Sequence, residues 1–350
     1  MDKVDHSSEL RKRVHPILGS LCFLFLCLFA LAPKTTLGAG AEKPNLRVYC
    51  STSDPLGIVY FDAKVAALKR LLVEGVFDMD VGPTGRLAVL RYADVKGKPG
   101  AAIDIYQSSG LIMSRTLQSQ EPALIGWQNR QFVFRDGGRT YSLDPDTGVV
   151  KPLKLDPKIF AIKTTPLGIV TILQSEDGVA VDMHDKKGLT VAKWRIPGSF
   201  GGTLSYTDFA VVGNRYVVLG IHQRRAPRDF LWVLDSRNGK QRKAHIEASS
   251  FCALGDNDTL LAAICKASTD GAKKTSIERI NLRSLRREPL LSIRGLARLA
   301  EVSFDRRWIV ATRAYEVSGP GRPNRLIAVR MMDGHVRVLL ENVYDCLPVK

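Results

Sequence analysis

One phrase returns six times along this chain: an apolar run, a tight polar turn that usually holds Gly, and a second run ending in Leu, Val or Ile. It reads IDIYQSSGLIMSRTL at 103–117, TYSLDPDTGVVKPLKL at 140–155, GVAVDMHDKKGLTVAKWRI at 178–196, FLWVLDSRNGKQRKAHI at 230–246, IERINLRSLRREPLLSI at 277–293 and LIAVRMMDGHVRVLL at 326–340. The turn centres lie about 40 to 50 residues apart. That period suits an array of four-stranded antiparallel units and is too long for ankyrin, tetratricopeptide or leucine-rich repeats.

Each phrase is preceded by another β-prone pair without helical periodicity, among them VFDMDVGPTGRLAVLRYADV at 76–95, TDFAVVGNRYVVLGIH at 207–222 and SFCALGDNDTLLAAICKA at 250–267. Six complete units cover 76–341. The remainder, 44–74 and 343–350, offers three strands and one strand. Letting the last strand complete the first unit satisfies edges that would otherwise stay open. The expectation is an all-β chain folded as a seven-bladed β-propeller of four-stranded antiparallel blades, its C-terminal strand completing the first blade.

The N-terminus sets the compartment. Lys3, Arg11, Lys12 and Arg13 precede an uncharged apolar stretch at 17–32, which breaks at Pro33, and Ala39-Gly40-Ala41 supplies small residues for cleavage. This pattern is that of a secretory signal over 1–41. A run of 16 residues is short for a spanning helix, which needs about 20. The expectation is an exported protein, periplasmic or extracellular, with no membrane span after cleavage and a single domain over 42–350. The whole chain carries a net charge of +16. Such an excess raises the local concentration of anionic partners without choosing a fold. Nucleic acid is not expected as a partner, because no nucleic-acid motif accompanies the charge.

Four cysteines follow the leader: Cys50, Cys252, Cys265 and Cys346. Aligning the units puts Cys346 and Cys50 on the first and second strands of the closing blade, and Cys252 and Cys265 on the same strands of the sixth. Neighbouring antiparallel strands are within disulfide reach, and export favours oxidation. Disulfides Cys50–Cys346 and Cys252–Cys265 are therefore expected.

The phrases LDPDTG at 143–148 and LDSRNG at 234–239, with pairs such as SFDRRWIVATR at 303–313, resemble blades of the TolB-type and WD-repeat-like β-propeller superfamily. The resemblance covers nearly all of 44–350 and implies a fold rather than an activity. The chain lacks room for the N-terminal α/β domain of bacterial TolB, the repeated Trp-Asp signature of intracellular WD proteins, and the tryptophan docking motif of quinoprotein dehydrogenases.

In such an array, the loops between second and third strands emerge on one face. Four are long here, at 91–101, 221–229, 265–275 and 313–325, and each has an excess of two positive charges. Lys96, Lys98, His222, Arg224, Arg225, Arg228, Lys273, Lys274, Arg322 and Arg325 are the candidate binding residues, since Arg is suited to bidentate capture of carboxylate or phosphate and His222 can stack. No GxSxG elbow, phosphate-cradling Gly-rich loop or HExxH motif occurs. No catalytic residue, metal ligand or cofactor is assigned. Asp78, Asp80, Asp208 and Asp305 lie near first strands, where Asp commonly caps turns. The expected function is a non-catalytic exported scaffold that recognises an anionic protein or glycan through a basic face. The alternatives are a metal-dependent, lactonase-like hydrolase centred on the channel, or a propeller subunit of a periplasmic redox complex.

Overall fold

The computed structural model describes residues 43–350, apart from 54–55, 72–74, 96, 120–121, 176–177, 186, 198–203, 224–228, 268–272, 304, 314–323 and 350. Residues 43–350 form one compact unit. Every regular element described in it is a β-strand.

The chain opens with β1 (Arg47–Ser53), β2 (Leu56–Asp62) and β3 (Ala67–Arg70). Four-stranded antiparallel units follow. The first is β4 (Val76–Val81), β5 (Leu87–Val95), β6 (Lys98–Gln107) and β7 (Gly110–Thr116). The next is β8 (Ala123–Gln128), β9 (Gln131–Asp136), β10 (Arg139–Leu143) and β11 (Val150–Leu153). Then come β12 (Ile159–Thr165), β13 (Gly168–Ser175), β14 (Gly178–His184) and β15 (Thr190–Pro197). Two further units are β16 (Leu204–Val212) through β17 (Tyr216–Gln223) and β18 (Asp229–Asp235) to β19 (Gln241–Ala244), and β20 (Ser250–Ala253) through β21 (Thr259–Ala267) and β22 (Lys273–Asn281) to β23 (Arg287–Arg294). The chain finishes with β24 (Ala297–Val302), β25 (Trp308–Arg313), β26 (Asn324–Arg330) and the long β27 (Val336–Pro348).

First strands of several successive units lie side by side. β4 neighbours β8, and β16, β20 and β24 follow one another as neighbours. β8 and β12 pair in parallel through Gly126 and Ile162, which merges two units into one eight-stranded sheet. β27 also reaches β4. Its N-terminal half pairs with β26, while its C-terminal half pairs with β1 through Val48↔Pro348, Tyr49↔Leu347 and Cys50↔Cys346. The terminal strand is thus an extension of the strand before it. Asn342, at φ 59°, marks the change of partner.

The core lies between adjacent sheets. Leu260, Ala262 and Ile264 of β21 pack toward Val218 and Leu231, while Leu261 and Ala263 pack toward Ile309 and Ile327. Second strands are therefore buried on both faces, and their sequences read as continuous apolar runs such as LLAAI rather than as alternation. The recurring turn is equally local in origin. Asp144 Oδ1 accepts the Asp146 amide at 2.8 Å, and the Gly148 amide donates to the Asp144 carbonyl at 2.8 Å. Asp235 and Gly239 repeat this arrangement. Its fifth residue is left-handed, with φ 71° at Gly148 and 67° at Gly239, which explains the glycine.

Candidate functional site

The expected basic loops are shorter than they look in sequence, because the flanking strands run on beyond the core. Arg91–Val95 and Lys98–Ala101 belong to β5 and β6, and Cys265–Ala267 and Lys273–Thr275 belong to β21 and β22. Pairing in the hairpin satisfies backbone groups even where neither face is covered. Of the candidate residues, Lys96, Arg224, Arg225, Arg228 and Arg322 lie outside the described residues. His222 is placed only by its backbone, opposite Asp229. Lys98, Lys273 and Lys274 are exposed. Arg325 is half-buried, with Nε 2.8 Å from Glu341 Oε2, so a nearby carboxylate answers its charge.

The register of β21–β23 creates something that residue counting missed. Lys266 stands directly opposite Lys274, and Lys274 directly opposite Arg294. Three cations therefore form one row across three strands. Like charges so placed repel and destabilise a sheet. Lys266 Nζ also approaches Glu278 Oε1 at 3.5 Å, but that buried carboxylate is already held by Arg287 at 2.8 Å. Alternation puts Lys273 on the other face, above Ile277. The next sheet continues the pattern, with Arg313 opposite Arg325. The hairpin base is firm: the buried Thr275 hydroxyl donates to the Gly295 carbonyl at 2.8 Å and accepts the Ala297 amide at 2.9 Å.

The structure does not bring Cys252 and Cys265 together, correcting the expected second disulfide. Cys252 pairs with Leu261, and Cys265 pairs with Thr275. Ser250 faces Ala263, so the cysteines are offset by four residues along the hairpin, about 13 Å at strand rise. Cys252 is buried, whereas Cys265 is exposed near the Ser249 hydroxyl at 3.4 Å. Cys50 and Cys346 are both buried, and their Sγ atoms lie 2.7 Å apart.

At the opposite end of β21, a cavity of about 480 Å³ opens among the turns joining first and second strands. Asn214, Asp256, Asn257, Glu301, Ser303 and Arg306 contribute its polar lining. Asp256 Oδ1 is engaged by the Asp258 and Thr259 amides at 3.2 and 2.6 Å. Asp305 likewise caps its turn through the Arg307 amide at 3.1 Å and the Ser303 hydroxyl at 2.5 Å. Asp80 is ion-paired with Lys163 at 2.9 Å. Asp78 Oδ1 accepts the Met79 amide at 2.9 Å. Although its side chain stays open to solvent, the density of surrounding protein, with Asp80 nearby, raises the Asp78 carboxyl above its ordinary range. The Asp208 side chain lies outside the described residues. Among the described residues, no three His, Cys, Asp or Glu side chains group so as to hold a metal.

No protein-family model matches the sequence, and no curated protein matches it. Solved structures do. The chain is 9% identical to a Bacteroides fragilis protein assigned as a 6-phosphogluconolactonase, with a TM-score of 0.53 over 89% of this chain and 99% of that one. A eukaryotic initiation factor gives 8% identity and a TM-score of 0.48, covering 88% and 98% of the two chains. TolB from Acinetobacter baumannii gives 12% identity and 0.44, covering 84% and 79%. At such identities the likeness speaks to fold alone. The chain is an all-β protein whose four-stranded antiparallel sheets match those of β-propeller structures.

Proposed function

We propose that this protein is an exported, non-catalytic β-propeller that binds an anionic protein or glycan through the end of the sheets bearing the β21–β22 hairpin. The observation that carries the reading is the Lys266–Lys274–Arg294 row. A cross-strand row of like charges costs folding stability, and an anionic ligand that bridges the cations removes that cost. Seven blades also fit best: 27 strands are described, and β27 joins β24–β26 to β1–β3 in one seven-stranded sheet, so counting it once with each group supplies four strands to each of seven blades. Residues 1–41 are read as the export signal, to be checked by N-terminal sequencing of the exported protein.

The binding test uses two immobilised probes, a sulfated glycan (heparin) and polyglutamate. Salt should elute the protein from at least one of them, and the probe that retains it longer distinguishes glycan from acidic protein. Lys266→Glu with Lys274→Glu should elute at much lower salt. Lys151→Glu with Lys154→Glu makes the same change of net charge on the exposed outer β11 region and should have a smaller effect. Equal losses in the two variants would reduce the binding to general basicity and overturn the site.

A further inference from the structure

We propose that Cys50 and Cys346 form a disulfide that covalently closes the domain by tying its first described strand to its last. This is independent of the anion-binding reading. Among the four described cysteines, these two alone are direct partners across a strand pair. Facing residues of antiparallel strands have Cα atoms about 4.5–5.5 Å apart, inside the range a disulfide spans. Their sulfurs approach to 2.7 Å, so bond formation asks for a small side-chain rotation and no change of backbone.

Position gives the bond its consequence. β27 is held to β1 by hydrogen bonds and by an apolar cluster that includes Val48, Val343 and both cysteines. A terminal strand is where an array of sheets begins to open, since the chain anchors it at one end only. A bond at Cys50–Cys346 prevents that opening and encloses nearly the whole domain in one loop. Cys50 is 0% exposed and Cys346 is 6% exposed, so the bond, once made, is shielded from reductants while the domain stays folded.

The same burial times the chemistry. The oxidant is a disulfide compound, small-molecule or protein, and it must act before β27 has docked. A thiolate of one cysteine attacks the oxidant's S–S bond, forming a mixed disulfide and releasing one thiolate of the oxidant. The thiolate of the second cysteine then attacks the protein-side sulfur and displaces the other half of the oxidant. The two cysteines together lose two electrons and two protons, and the oxidant is reduced to two thiols.

The test is peptide mapping of the full chain exported into an oxidising compartment, alkylated without reduction, together with urea unfolding with and without dithiothreitol. One peptide pair linking Cys50 to Cys346 is expected. Adding reductant should raise the unfolding equilibrium constant on the order of a thousandfold, as expected for a long enclosed loop. Cys50→Ala with Cys346→Ala should abolish this sensitivity to reductant whatever its own stability. Separate alkylation of Cys50 and Cys346, a linkage of either one to another cysteine, or a reductant response that survives in the double variant would each overturn the proposal.

Discussion

A side chain at Gly126 would place its Cβ 2.0 Å from the carbonyl oxygen of Ile162. Gly126 sits at φ 129° where β8 and β12 pair in parallel, so two backbones meet there with no space for a methyl group. Gly126→Ala must push the strands apart and adopt a backbone that L-residues avoid. We expect a loss of about 2–4 kcal/mol, read as a lower urea midpoint.

The second prediction concerns Asp104, which is 2% exposed. Its carboxylate accepts from Arg91 at 2.5 Å, Ser114 Oγ at 2.6 Å and Tyr106 Oη at 3.2 Å. Asp104→Ala strands three donors at once. Arg91 keeps some access to water, which softens the cost, so a loss of about 2–3 kcal/mol is expected in chemical unfolding.

Acid sensitivity should trace in part to Asp235. The Arg215 guanidinium grips it through bonds of 2.9 and 2.6 Å, and the Arg237 amide adds another. The Arg215 hydrogen bonds chiefly hold the Asp235 carboxyl below its ordinary pKa. A depressed acid stabilises the fold above the unfolded value, about 3.9, and that contribution disappears as pH falls through the lower folded value. Asp235→Asn should therefore lower the urea midpoint at pH 6. The gap from wild type should shrink steadily as the pH is taken below 4.

Relief of the cationic row gives a prediction of opposite sign. Lys274→Glu places an acid between Lys266 and Arg294, so stability should be unchanged or higher by about 0.2–1 kcal/mol. Retention on the anionic probes should fall in the same variant. Measuring thermal unfolding beside retention separates damage to the fold from damage to the surface.

The repeating hairpins were legible because their cause is local. An Asx residue that turns the chain, a left-handed fifth residue and the flanking β-prone runs all stand within one phrase. Leu285 shows how far the pattern stretches: it takes φ 60° after Asn281, whose carbonyl accepts the Leu285 amide at 2.7 Å, without glycine. The apposition of Cys50 and Cys346 was accessible too, since counting strands from both ends brings the last beside the first.

Register is another matter. Cys252 and Cys265 lie on neighbouring strands, yet the turn at Leu254–Asp258 pairs Ala253 with Leu260 and leaves the cysteines four residues out of step. A hairpin's register depends on how many residues its turn consumes, and that is settled by backbone geometry rather than by composition. The Lys266–Lys274–Arg294 row compounds two such registers, with a bulge after Ile277 in the second. By itself, then, the sequence determined the kind of element, its repeat and the basic character of one set of hairpins, because periodicity and turn chemistry act over a few residues. Only the tertiary structure decided which cations face one another, which thiols meet and where Gly126 lets two strands touch, because each depends on alignment between strands that the chain does not encode locally.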